Sequence, residues 1–203
     1  PGDVTVHTGA GTRTVQYRAS DAPGLGWGRV DMGAARLGET LRSDGPPGTR
    51  WGRLVDMGNP HVVLYGAAVD GDTVRSVGER LGRSVPGGAN VEFVWPGPGP
   101  DELVLRVWER GVGETLACGT GTCAAVAAAH DHGDTGRRVR VHNPGGSLDV
   151  ELTPHGIALA GPTQRVGEVV VDEAVLAALV AALDVEASTA PAVPGAAEVA
   201  STP

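Results

Sequence analysis

Apolar and polar residues alternate with a period of two through most of this chain, in short runs separated by turn residues. Residues 4–8 and 12–18 alternate on either side of Gly9-Ala10-Gly11, and 27–32 follow a Pro/Gly turn, predicting a hairpin and a third strand. Further strands are expected at 53–57, 62–65, 89–95, 102–109, 138–142, 147–152, 157–160 and 165–171. Three segments break this rhythm. Val74, Val77 and Leu81 are spaced by three and four, which predicts a short amphipathic helix over 73–81. Gly119-Thr120-Gly121-Thr122 leads into an alanine-rich run ending near Gly133, the pattern of a tight loop opening a buried helix. Residues 172–185 are rich in Ala, Leu and Val behind Asp172, a residue suited to cap a helix. Residues 38–50 are polar and turn-rich, the expected connection between two domains. Residues 187–203 have the composition of a disordered tail.

Composition narrows this picture. With 203 residues, 41% of them hydrophobic, the chain can bury a core, and with 3% aromatics that core must be Val, Leu and Ala. A net charge of −8 argues against a nucleic-acid groove or an anionic membrane as partner. No apolar run approaches the ~20 residues of a membrane span, and no signal peptide is visible. Two cysteines five positions apart form neither a disulfide framework nor a zinc site, so free thiols, no metal and a cytoplasmic location are expected. The chain begins Pro1-Gly2-Asp3, without methionine and almost directly in a strand pattern, which predicts a fragment.

The chemistry concentrates at residues 109–125, ERGVGETLACGTGTCAA, which hold both cysteines. Cys118 stands where the loop that opens the alanine-rich helix begins. A helix start presents unpaired N–H groups and partial positive charge, so a thiol there is expected to have a lowered pKa, and an anionic ligand to dock at Gly119 and Thr120. Most free cysteines are small buried hydrophobes; that plainer reading is the one for Cys123, inside the helix. Asn59-Pro60-His61 joins two strands, and Asn90 starts another, at strand ends where sites are commonly built. Glu109 and Arg110 end a strand beside glycines. His130 and His132 read as surface residues at a helix end, and Arg137, Arg138 and Arg140 as a solvated strand face.

Residues 109–125, together with Met57-Gly58-Asn59-Pro60-His61 and Ala89-Asn90, resemble the second catalytic-cysteine signature and two further anchors of diaminopimelate epimerase. The resemblance runs from about residue 3 to about residue 171. It implies an α+β fold in which a mixed β-barrel wraps round a central helix, with a complete second domain over 38–162. Residues 1–37 would be the last strands of a partial first domain, and 163–186 a return strand and C-terminal helix. It also implies cofactor-independent inversion of LL-2,6-diaminopimelate to the meso form, in lysine and peptidoglycan precursor biosynthesis, in a protein that is a homodimer at full length. Two cysteines would act from opposite faces of the Cα. Carried over, Cys118 is one of them, and Glu109 supports its thiol and meets the substrate ammonium. Arg110 pairs with the distal carboxylate, Asn59 and Asn90 hold the distal end, Gly119 and Thr120 hold the α-carboxylate, and His61 assists the other cysteine.

That other cysteine, in a Cys-Gly-Asn-Gly element, is absent from these residues. Cys123 cannot replace it: five helical residues amount to about 500° of rotation and ~7.5 Å of rise on one element, so both thiols lie on the same side of any ligand. The chain alone is therefore expected to be inactive. Two alternatives stand beside this reading: a non-catalytic ligand-binding or assembly domain, and a related racemase or isomerase of the same fold.

Overall fold

The computed structural model describes the backbone of residues 2–8, 11–41 and 45–189. The chain forms two units, Pro1–Arg165 and Val166–Pro203. In the first, chain order is β1 (Gly2–Thr8), β2 (Gly11–Ala19), β3 (Leu25–Asp31), β4 (Arg36–Leu41), β5 (Trp51–Asp56), β6 (Pro60–Tyr65), α1 (Gly71–Ser84), β7 (Asn90–Pro96), β8 (Glu102–Glu109), β9 (Gly113–Thr115), α2 (Gly119–His132), β10 (Arg138–Asn143), β11 (Gly146–Thr153) and β12 (Gly156–Gln164). The second unit holds α3 (Glu173–Thr189), whose start is capped by Asp172 Oδ1 accepting from the Ala174 N–H at 2.9 Å. No helix among the described residues is long and apolar enough to cross a membrane.

The strands form one mixed sheet in the order β1-β2-β3-β12-β11-β10-β8-β7-β6-β5-β4, with β9 added to β8. The pairs β6/β7 and β8/β10 are parallel, and the others are antiparallel. Helix α2 packs against β5–β8 on one side and β11 and β12 on the other. One sheet can touch a single helix at both wings only by curving round it. The fold is thus the expected α+β arrangement of a sheet wrapped round a central helix. Its hydrogen-bonded path is an open one, with β1 and β4 at its ends.

The sequence of α2 explains how it can sit there. Residues 121–129 are all buried, and alanine's short side chain lets strands approach from every direction. The helix stops at Gly133, which adopts φ 90°, a left-handed conformation open to glycine without Cβ strain. There the Gly133 N–H donates to His130 O and the Asp134 N–H to Ala129 O, closing the last turn.

Strands β6 and β7 are covered on both faces, and alternation assigns each side chain to a face. Val62, Leu64, Val91 and Phe93 meet Val74 and Leu81 of α1 on the outer face. Val63, Tyr65 and Val94 join the α2 core on the inner face. His61 and Glu92 alternate onto that inner face too, both fully buried. Helix α1 lies tight on the sheet because Gly78 carries no side chain: a Cβ there would come within 2.5 Å of Trp108 Cβ.

Two expectations change. Part of the polar connection at 38–50 is strand β4, held by antiparallel pairing with β5 and by an Arg36–Asp56 ion pair at 2.6 Å. Residues 165–171 form no strand; β12 instead runs on to Gln164. It passes through Pro162, which is tolerated because pairing with β11 ends at Ala160 and leaves no acceptor there for the missing N–H. Strand β3 pairs with β12 throughout its length, so residues 1–37 and 38–162 contribute to one sheet. From residue 190 onward, the tail expected over 187–203 lies outside the described residues.

Candidate active site

Cys118 is the N-cap of α2, with extended backbone and a 7% exposed side chain. Its carbonyl accepts from the Thr122 N–H and the Thr122 hydroxyl, both at 2.8 Å. Its Sγ accepts from the Gly121 N–H at 3.4 Å and lies 3.5 Å from Thr120 Oγ1. Gly119 and Thr120 occupy the first turn, where backbone N–H groups have no acceptor within the helix. The thiol and these first-turn N–H groups therefore share one helix end.

The thiol's pKa moves the opposite way from expectation. Burial pushes it above its ordinary value, and the nearby Glu109 carboxylate pushes it further in the same direction. The Thr120 hydroxyl and the Gly121 N–H oppose this without overcoming it. Position at a helix start lowers a thiol's pKa only when the gain from the N–H groups exceeds the loss of hydration; here desolvation wins. Cys123 is fully buried in the α2 core, its thiol pushed up to about 12 by burial.

Asn59 and His61 come to this thiol through the turn between β5 and β6. Gly58, at φ 94°, makes that turn, and its N–H is held by Asp56 Oδ1 at 2.7 Å. Asn59 Nδ2 donates to Thr120 Oγ1 at 3.4 Å, and Asn59 Oδ1 lies 3.1 Å from His61 Nε2. The other imidazole nitrogen, Nδ1, lies 2.6 Å from Glu92 Oε1. Both nitrogens of the fully buried ring are thus engaged. Beside the start of α2, through Met32, is a cavity of about 630 Å³ lined by Arg13, Met32, Gly33, Arg36, Met57 and Gly58.

The remaining candidates form a second group. Glu109 Oε1 accepts from the Thr115 hydroxyl. Asn90 Oδ1 accepts from the Arg110 N–H at 2.9 Å, and the Arg110 guanidinium donates to the carbonyls of Gly87 and Gly88 at 2.9 and 3.3 Å. The charge of Arg110 is thereby turned onto the loop after α1. No group of three or more His, Cys, Asp or Glu side chains among the described residues is arranged to hold a metal ion.

Glu92 is the residue that pattern reading passes over. It is fully buried, and burial pushes its carboxyl above the usual range, against the lowering effect of His61. Its Oε2 has no hydrogen-bond partner among the described residues. The signal was present: Glu92 is the one acid inside Asn-Val-Glu-Phe-Val-Trp, a strand apolar on both faces. A carboxyl is buried at such a place only against a specific partner.

A family model for diaminopimelate epimerase matches residues 53–166, more than half of the chain. A diaminopimelate epimerase of Pelotomaculum thermopropionicum is 41% identical over 155 residues, covering 68% of this chain and 55% of the relative. One of Leptospira biflexa is 38% identical over 184 residues, covering 81% and 65%. The chain spans between half and two thirds of the length of these two curated relatives. In fold it is similar to a hydroxyproline epimerase from Agrobacterium vitis, with a TM-score of 0.59 at 15% identity, over 81% of this chain and 58% of that one.

Proposed function

Because this chain belongs to the diaminopimelate epimerase family, we propose that it forms one wall of an active site that inverts the Cα of LL-2,6-diaminopimelate without a cofactor. Cys118 is the acid–base thiol of that wall. The observation that supports this reading is the placement of Cys118 as N-cap of α2, next to Gly119 and Thr120 in its first turn. An α-carboxylate docked on the N–H groups of that turn brings its Cα beside Sγ. When the thiolate takes the α-proton, the charge left on the Cα spreads into the carboxylate and is stabilised by the helix start. Glu109 faces the ammonium from the strand end, and Asn59, Asn90 and Arg110 read the distal amino-acid end. For Arg110 this requires the guanidinium to leave the Gly87 and Gly88 carbonyls, a rotation of an exposed side chain.

Inversion needs a second acid on the opposite face. Cys123 is fully buried on the same helix, so within this chain a proton lost to Cys118 returns from Cys118. The 203-residue chain is therefore expected to leave stereochemistry unchanged, and to exchange the α-hydrogen at most. The second thiol comes from residues beyond this chain, in a longer protein that pairs as a homodimer in the cytoplasm and serves lysine and peptidoglycan precursor synthesis. The test is solvent D₂O with LL-diaminopimelate, following deuterium at the Cα and the LL:meso ratio. A full-length protein should exchange and invert, and Cys118→Ala should abolish inversion. Normal turnover by Cys118→Ala refutes the role of the thiol, and inversion by the 203-residue chain refutes the one-wall reading.

The presence of one thiol at the helix start, with no second one facing it within this chain, also favours a second reading, a ligand-binding domain without catalysis. It predicts binding of diaminopimelate with no deuterium incorporated in either protein.

A further inference from the structure

Glu92, His61, Asn59 and Thr120 form a row of hydrogen bonds that ends at Cys118 Sγ, and the direction of each bond follows from the chemistry of its atoms. Asn59 Oδ1 can only accept, so the His61 nitrogen 3.1 Å away, Nε2, carries a proton. With Oδ1 committed to the imidazole, Asn59 presents Nδ2 to Thr120 Oγ1 at 3.4 Å and donates to it. The Thr120 oxygen then has its own hydrogen to give, and Sγ lies 3.5 Å away. What fixes the first proton is the far side of the ring. There Nδ1 faces Glu92 Oε1 at 2.6 Å, with one proton between the two atoms.

Glu92 is held in this place by the architecture. It projects from the middle of β7 into the α2 core with no exposed surface. It fits because the facing residue of α2 is Gly121, where a Cβ would lie 2.5 Å from Glu92 Oε1. A buried carboxyl with one oxygen unpartnered carries a desolvation cost that an apolar residue would avoid.

We propose that Glu92 is a positioning residue for Cys118: by bonding Nδ1 it keeps a proton on His61 Nε2, which orients the Asn59 amide and so aims the Thr120 hydroxyl at Sγ. The proposal rests on Cys118 being the working thiol. It can be tested on thiol chemistry alone, so its failure is distinguishable from failure of the epimerase reading.

The experiment measures iodoacetamide alkylation of Cys118 in the 203-residue chain at one fixed pH, by peptide mass spectrometry, with Cys123 as an internal monitor of folding. Glu92→Leu removes the partner of Nδ1, and Thr120→Val removes the last donor. Each should slow Cys118 alkylation about fivefold, the scale of one net hydrogen bond of ~1 kcal/mol. The double variant should be no slower than either single one, because both break the same row. Glu92→Gln can donate to Nδ1 and keep the proton on Nε2, so its rate should stay within about twofold of the parent. A purely structural role for Glu92 predicts something different: multiplied effects in the double variant, or faster alkylation of both cysteines as packing loosens. Either result overturns the proposal, as does a Glu92→Leu rate equal to the parent's with Cys123 still protected. If Glu92→Leu does not fold, nitrogen-15 spectra of His61 in the parent decide. A proton on Nε2 supports the row, and a ring protonated on Nδ1 alone overturns it.

Discussion

Gly121→Ala should destabilise the chain, although in an ordinary helix the same change stabilises. Alanine exceeds glycine in helix propensity by about 1 kcal/mol, and Gly121 lies in the first turn of α2 with unexceptional backbone. The new Cβ, however, would sit 2.5 Å from Glu92 Oε1 and 3.2 Å from Glu92 Cγ. A carboxylate at the surface would swing aside. Glu92 is fully buried, and its Oε1 is held by His61 Nδ1 at 2.6 Å, so it moves only by lengthening that bond or by pushing α2 away from β7. Overpacking of this kind costs about 1–3 kcal/mol, and losing the hydrogen bond between a protonated carboxyl and the imidazole adds about 0.5–1.5 kcal/mol. Set against the propensity gain, the net loss is about 2 kcal/mol. For a unit of this size that lowers Tm by roughly 4–8 °C.

Urea unfolding followed by far-ultraviolet circular dichroism measures this loss directly. The decisive comparison repeats Gly121→Ala in a Glu92→Ala background, where the obstructing atoms are gone. There the substitution should become neutral or stabilising, a coupling of about 2–3 kcal/mol between the two positions. Equal effects in both backgrounds would refute the clash. So would a parent chain stabilised by the full propensity difference, since α2 and β7 would then be further apart than described.

Two predictions concern titration. Because burial raises the Cys118 thiol above its ordinary value of 9.0, its alkylation should still be climbing with pH where an exposed thiol has levelled off. Cys123 should stay unmodified until the chain unfolds; a Cys118 profile already flat by pH 8 would contradict the balance described. Glu92 is raised from 4.5, so above that pH the folded chain keeps a proton that the unfolded chain has released. Stability carried by this group is complete below 4.5 and is lost as pH rises through the raised value, with a slope of up to about 1.4 kcal/mol per pH unit. Glu92→Gln should flatten that part of the stability–pH curve, and parallel curves for parent and variant would show that Glu92 titrates normally.

The parts of the fold that were legible in the sequence are those governed by local rules. Turn residues and alternation placed most strands, and the Val74–Leu81 spacing placed α1. The glycine-threonine loop ahead of an alanine run placed α2 and put Cys118 at its start. Strand β4 is not legible in the sequence because Leu-Gly-Glu-Thr has little apolar pattern; its pairing partner β5 and the Arg36–Asp56 bridge supply what its composition lacks. The stretch 165–171 reads as strand by composition, yet it is in no strand, and Val166 and Val170 are 95% and 97% exposed. The thiol's pKa departs from the local pattern for a related reason. Local sequence announces the helix start, but the desolvation that outweighs it comes from strands distant in the chain.

Helix α2 accounts for why stability and chemistry cannot be separated in this chain. Its buried alanines are the axis round which the sheet curves, and its N-cap is the thiol-bearing Cys118, beside the first-turn N–H groups. A helix end buried in a sheet would ordinarily be capped by a short polar side chain accepting from its N–H groups. Here the cap is a sulfur, a weak acceptor at 3.4 Å from the Gly121 N–H. Replacing Cys118 by serine would provide a stronger capping oxygen and remove the reactive group, so that Cys118→Ser should raise stability by a few tenths to 1 kcal/mol while abolishing thiol reactivity at this position. A cysteine retained where serine caps better is what a site selected for acid–base chemistry over stability predicts. A loss of stability in Cys118→Ser would instead make the thiol a packing residue of the α2 core.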